Sequence, residues 1–179
     1  IDRSKLELGD DPTKKGVSEM KFNVVNTTSK ELSYDLDLVG MTETVSSSDK
    51  NFVAEKNQIL DGSTTVNVSA GGSKVENDGK VTIKVAPNST CKVTATYTLT
   101  SEDKNMIDEL FPYGMFVEGY VKLVNNATSE TDIDLNVPFL AFYGDWNQAP
   151  MFDKTYFEVE SEAHDDSIDY EDKIKADVY

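Results

Sequence analysis

The sequence alternates with a period of two over most of its length, and that restricts the fold more than any other feature. In LSYDLDL (32–38), Leu32, Tyr34, Leu36 and Leu38 share one face, while Ser33, Asp35 and Asp37 share the other. A half-buried β-strand has this pattern, because successive side chains point to opposite faces. MKFNVV (20–25) places Met20, Phe22 and Val24 together, and KVTIKV (80–85) does the same for Val81, Ile83 and Val85. CKVTATYTL (91–99) lines up Cys91, Val93, Ala95, Tyr97 and Leu99, and TVNVSA (65–70) is a weaker example. The strongest segments are GMFVEGYVKLV (114–124) and IDLNVPFLAFYG (133–144). Gly119 inside its strand suggests a bulge or close packing of an aromatic, and Pro138 suggests an edge position or a bulge.

Turn chemistry separates these runs. Asn77-Asp78-Gly79 and Pro87-Asn88-Ser89 favour tight turns. The polar stretch 26–30 predicts a hairpin between 20–25 and 32–38, and the stretch at 125–128 predicts another between the two strongest strands. Met41–Gln58 reads as loop with a short edge strand. One helix interrupts the strands. Thr100-Ser101-Glu102-Asp103 fits a capping box, with Thr100 as N-cap and Asp103 at N3. Met106, Ile107, Leu110 and Phe111 then share a helical face, and Pro112 and Gly114 close it, which predicts a helix over 101–110. About seven strands with one helical insertion before the last two point to an all-β, immunoglobulin/fibronectin-III-like antiparallel sandwich.

Composition narrows the function. The 179 residues hold 17 Lys and Arg against 33 Asp and Glu, a formal charge of −16. Nucleic-acid binding is built on cations opposite phosphates, so this balance speaks against it. No apolar run approaches the ~20 residues of a membrane-spanning helix. One His and one Cys cannot make a zinc site of four His and Cys ligands. Cys91 has no partner for an internal disulfide and reads as a small core residue. His164, the only His, lies in the acidic run SEAHDDS and reads as a solvated tail residue rather than as the general base of a triad. No GxSxG elbow and no Gly-rich phosphate loop occurs.

From Asp145 onward the composition becomes acidic. Residues 153–179 carry ten acids and three Lys, and so −7 of the −16. The expected organisation is a sandwich over 1–150, with its core at 17–145, and an acidic linker or arm over 151–179. The opening residues IDRSKLELGDD contain no apolar signal segment, and Ile1 in place of Met suggests a piece of a longer chain. No cofactor is expected. Asp165, Ser167 and Asp169 could supply oxygens at alternate positions of a calcium loop, but Tyr170 and Ala176 stand where an EF-hand needs Gly and Glu. Asn-x-Ser/Thr sequons at Asn26, Asn67, Asn88 and Asn126 lie near predicted turns or strand ends, where a glycan would fit.

Tyr113-Gly114-Met115-Phe116-Val117-Glu118-Gly119-Tyr120-Val121, followed by Leu135-Asn136-Val137-Pro138-Phe139-Leu140-Ala141-Phe142-Tyr143-Gly144-Asp145-Trp146, resembles the end of a particular domain type. It is the fibronectin-type-III-like domain of large cell-surface subtilisin-like serine proteases, the lactocepin-type cell-envelope proteinases and complement-cleaving surface peptidases of Gram-positive bacteria. KFNVVNTTSKELSYDLDL resembles that domain's opening hairpin, and the resemblance covers roughly residues 17–150. It marks Gly114, Phe116, Glu118, Gly119, Pro138, Phe142, Gly144 and Asp145 as motif residues with structural roles. It implies a segment without catalytic residues, whose parent is a serine endopeptidase with its triad elsewhere. The implied partners are the upstream protease domain, a downstream module and protein substrate. The implied location is the extracellular surface or cell wall of a Gram-positive bacterium. Taken without the resemblance, the strands also suit an adhesin-type or carbohydrate-binding β-sandwich module.

Overall fold

A computed structural model describes residues 1–49, 52–126 and 133–148. Residues Ile1–Asp145 make one compact unit, and a second begins at Trp146. The acidic segment 151–179 lies outside the described residues, and with it His164 and the run around Asp165–Asp169.

The first unit is an open sandwich of two sheets. Its strands are β1 (Leu6–Asp10), β2 (Val17–Asn26), β3 (Leu32–Asp49), β4 (Phe52–Ile59), β5 (Ser63–Ala70), β6 (Gly72–Asn77), β7 (Lys80–Val85), β8 (Ser89–Thr98), β9 (Met115–Asn125) and β10 (Leu135–Tyr143). The larger sheet runs β1-β10-β9-β3-β7-β6, with β4 paired to β3, and the smaller runs β2-β8-β5. All pairings are antiparallel except β1 on β10. Helix α1 (Ser101–Leu110) precedes β9. Its Thr100 hydroxyl accepts from the Asp103 amide, and the Asp103 carboxylate accepts from the Thr100 amide, so the capping box forms as its residues predict. Asp103 does more than cap. Its Oδ1 also accepts from the Asp61 amide at 3.1 Å, which ties α1 to the β4–β5 connection.

The alternating faces predicted from sequence meet in the core. Met20, Phe22 and Val24 of β2 and Cys91, Val93, Ala95 and Tyr97 of β8 face Tyr34, Leu36, Ile83, Val121, Leu123 and Phe139 of the larger sheet. Ile107 of α1 is fully buried. Cys91 is buried and free, and burial pushes its thiol up from the ordinary value, as suits an unreactive core residue.

Three expectations are corrected. β2 and β3 do not form a hairpin. They belong to different sheets, and the 26–31 connection crosses between the layers. Asn26 holds that crossing. Its amide donates to the carbonyls of Lys30, Val85 and Ala86, while its Oδ1 accepts from the Thr28 amide and hydroxyl. At 1% exposure with every polar atom engaged, Asn26 has no room for a glycan, whereas Asn67, Asn88 and Asn126 are exposed. Second, Met41–Gln58 is a two-stranded ribbon, paired from Met41↔Ile59 to Asp49↔Phe52. Its backbone ladder needs no row of buried apolar side chains, so hydrophobic alternation cannot reveal it. Third, the described residues hold ten strands rather than about seven, because β1, β4 and β6 carry little alternation. β6 is exposed throughout and owes its place to the Asp78–Gly79 turn, where both residues have positive φ.

Two glycines on facing elements make room for one ring. A methyl group on Gly40 would lie 2.5 Å from Tyr97 Cε1, and one on Gly62 would overlap the same ring. Tyr97 Oη donates to the Leu60 carbonyl and accepts from the Gly62 amide, both at 3.1 Å. The Leu60 amide donates in turn to the Gly40 carbonyl at 3.0 Å. A Gly40→Ala substitution must displace this ring or break its hydrogen bonds. It should lower unfolding stability by roughly 2–3 kcal/mol in a urea titration. A loss below about 0.5 kcal/mol would mean that the ring is not confined there.

Candidate functional site

The motif residues converge on the β9–β10 pair and on the point where its two strands meet. β9 and β10 are antiparallel neighbours, as predicted, and their register places Phe116 opposite Phe142, Glu118 opposite Leu140, Gly119 opposite Phe139 and Tyr120 opposite Pro138. Gly119 also pairs with Gly40 of β3, so two side-chain-free positions adjoin on the inner face. A methyl on Gly119 would run into the Val39 carbonyl and come within 2.9 Å of the Phe139 ring. Of the two readings of Gly119, close aromatic packing therefore holds, since neither of its pairings shifts register there. Phe139 fills the space left by the glycines and lies 6.4 Å from Tyr97, centroid to centroid. Pro138 stands one residue before the first β1 contact, Leu6↔Phe139. β10 is an interior strand, but at Pro138 its outer side is still an edge, where no ladder donor is required.

Gly114 and Gly144 close this unit. Their φ values are +106° and +143°, a region that favours glycine, and each would press a methyl against the other's Cα. Phe142 covers the crossing and meets Phe116 edge-to-face at 5.2 Å. Asp145 follows, half-buried. Glu118 projects outward and is exposed, on the opposite face from its neighbours Val117 and Gly119.

Beside the crossing lies a polar cluster that alternation alone does not reveal. Lys14 Nζ donates to Asp108 Oδ1 at 2.6 Å and to the Pro112 carbonyl at 3.1 Å, and sits 5.6 Å from the centroid of the Tyr143 ring. Tyr143 Oη donates to Asp108 Oδ2 at 3.3 Å. Asp11 accepts from the Gly16 amide at 2.7 Å and so shapes the loop that carries Lys14. The cluster joins the β1–β2 loop, α1 and β10. It contains neither a nucleophile with an adjacent base nor an oxyanion hole. Burial, with the Asp108 carboxylate second, pushes the Tyr143 hydroxyl up to about 12. Among the described residues no group of three or more His, Cys, Asp or Glu could hold a metal ion, and no helix is long and apolar enough to cross a membrane.

A second polar cluster lies on the outer face of the larger sheet. Asp35 accepts from Lys80 at 2.7 Å, from the Thr82 hydroxyl at 2.7 Å and from the Asn126 amide at 3.0 Å. These bonds, the one from Lys80 foremost, hold its carboxyl below the usual carboxylate range. It joins β3, β7 and the end of β9, and each partner satisfies a separate lone pair, as in a structural network.

The family model for the Fn3-like domain matches residues 7–140. The chain belongs to the Fn3-like domain family. Among solved structures, the ASH/PapD-like domain of human CEP192 (PapD-like domain 7) is similar over 77% of this chain and 80% of its own, at 9% identity and a TM-score of 0.43. The N-terminal domain of PorA is similar over 80% of this chain and 92% of its own, at 12% identity and a TM-score of 0.31. At such scores these two bear on neither the topology nor the function of this Fn3-like domain. No curated protein matches it.

The Tyr143 environment makes a pH prediction. A tyrosine in an unfolded chain ionises near ~10. In this Fn3-like domain it holds its proton to about 12, so the stability it contributes is complete below ~10 and is lost as pH rises from there toward 12. Tyr143→Phe should remove that alkaline loss, seen as a flatter stability profile above pH ~10. The wild-type-minus-variant absorbance should show the phenolate forming near 12. Phenolate forming near ~10 would contradict the packing described.

Proposed function

We propose that this Fn3-like domain is a non-catalytic accessory module of a large secreted, cell-wall-associated subtilisin-like serine endopeptidase, which it supports and spaces and whose substrate it contacts. Fn3-like domains are generally non-catalytic. The observation that carries the protease reading is the β9–β10 motif. Gly114, Phe116, Glu118, Gly119, Pro138, Phe142, Gly144 and Asp145 resemble the terminal strands of that protease family's domain in order and spacing. The geometry gives most of them a packing reason: two glycines at a chain crossing, two phenylalanines meeting edge-to-face over it, and a glycine beneath an aromatic. On this reading the triad and the downstream module lie elsewhere in the parent chain, at the surface of a Gram-positive bacterium. The excess of 33 acids over 17 bases would attract basic substrate peptides toward the neighbouring active site.

The test is made on the parent protein. Its casein hydrolysis should be abolished by a serine-directed inhibitor, while the isolated 179-residue segment shows no turnover of casein or simple esters. Neutralising the outer acidic side chains should lower kcat/KM for basic peptides relative to neutral ones, and the effect should fade at high salt. A parent without serine-peptidase activity would overturn the protease assignment. An unchanged ratio would overturn the contribution to substrate attraction alone.

A further inference from the structure

The outer face of the larger sheet has two unlike halves. Around Asp35 it is polar and internally bonded. Toward the β9–β10 motif it is apolar. Cross-strand register lines up Leu140 of β10, Glu118 of β9, Met41 of β3 and Ile59 of β4 in one row. Tyr120 and Val39 make up much of the adjoining row, and Phe116 extends the patch on the other side. Ile59, Tyr120, Leu140 and Phe116 are 65%, 43%, 40% and 37% exposed. Large apolar side chains scattered singly need no explanation, but a contiguous set on one flat face marks an interaction surface.

One charge stands in the middle of this set. No cation among the described residues pairs with Glu118. Lys122, four residues along the same strand, lies opposite Asp37 instead. Any partner that covers the patch takes the Glu118 carboxylate out of water, which is costly unless the partner brings a cation to it. A second copy of this chain does not meet that requirement. A two-fold contact centred on the patch brings the two Glu118 carboxylates together, between molecules that each carry −16.

We propose that this face docks a partner polypeptide segment that sets a lysine or arginine among apolar side chains, with the cation over Glu118. The apolar rows supply the buried area, and Glu118 fixes the register and rejects acidic segments. The proposal rests on this surface alone and holds whatever the parent chain is.

The experiment pans a phage-displayed library of random linear peptides against the whole chain. It then measures binding of the synthetic winners by fluorescence anisotropy and maps them by amide chemical shifts. The expected winners carry Lys or Arg flanked by apolar residues and shift the amides of Glu118, Tyr120 and Ile59. Glu118→Gln should weaken their binding roughly tenfold or more. Glu118→Lys should select acidic residues in place of the basic one, a change that mere loss of packing would not produce. Both variants alter an exposed side chain, and their Tm should match the wild type. The proposal is overturned if no peptide is enriched, if the winners lack a basic residue or map elsewhere, or if Glu118→Gln leaves their binding unchanged. Concentration-dependent dimerisation in sedimentation that protects the same amides would overturn it equally, by making a second copy the occupant.

Discussion

The fold depends on one aromatic ring held between two glycines. Tyr97 rises from the smaller sheet and reaches into the larger one at Gly40, while Gly62 leaves it room on the other side. A ring of this size contributes a large part of the local apolar burial, and its hydroxyl must find partners once buried. The Leu60 carbonyl and Gly62 amide supply both. Because Leu60 is itself bonded to Gly40, the same contact fixes where the β3–β4 ribbon turns back into the sandwich. The adjoining Gly40–Gly119 pair leaves a gap that Phe139 fills, so the ring also sets the depth of β9 and β10. The motif strands and the outer apolar face are carried on that support.

Much of this was legible in the sequence, and the parts that were not share a physical cause. Alternation exposed β2, β7, β8, β9 and β10, because each buries one face. The capping box located α1, because a helix end must satisfy its own amides through nearby side chains. Pairing partners were harder. Residues 20–25 and 32–38 look like a hairpin, since a short polar connection is what a hairpin needs. The deciding group is Asn26, whose carbonyl partners at the end of β7 and just beyond it lie 59 and 60 residues away. The β3–β4 ribbon was hidden because Met41–Gln58 carries little apolar alternation, and backbone pairing does not require it. Gly40 carried a readable signal, as glycine within a strand implies close approach, but only the fold identifies Tyr97 as what approaches.

The candidate site divides along the same line. Gly114, Gly119 and Gly144 could be singled out from sequence, and the structure supplies their reasons: a crossing of two chains and an aromatic over a bare backbone. The Lys14–Asp108–Tyr143 cluster could not, because it assembles three elements far apart in the chain. Each has a packing or hydrogen-bonding reason of its own. Both stiffen the end of the sandwich where β9 and β10 leave it.

The measurement that tests the central claim most directly is native-state hydrogen exchange at the Gly62 amide. Gly62 stands in the β4–β5 connection, where amides ordinarily exchange quickly, yet its N–H is bonded to Tyr97 Oη. If the Tyr97 contact holds the two sheets together, Gly62 should exchange only through global unfolding, at the rate of core amides in β8. Tyr97→Phe should then release it while the β8 core stays protected. Exchange of Gly62 at the rate of an open loop in the wild type would contradict the account.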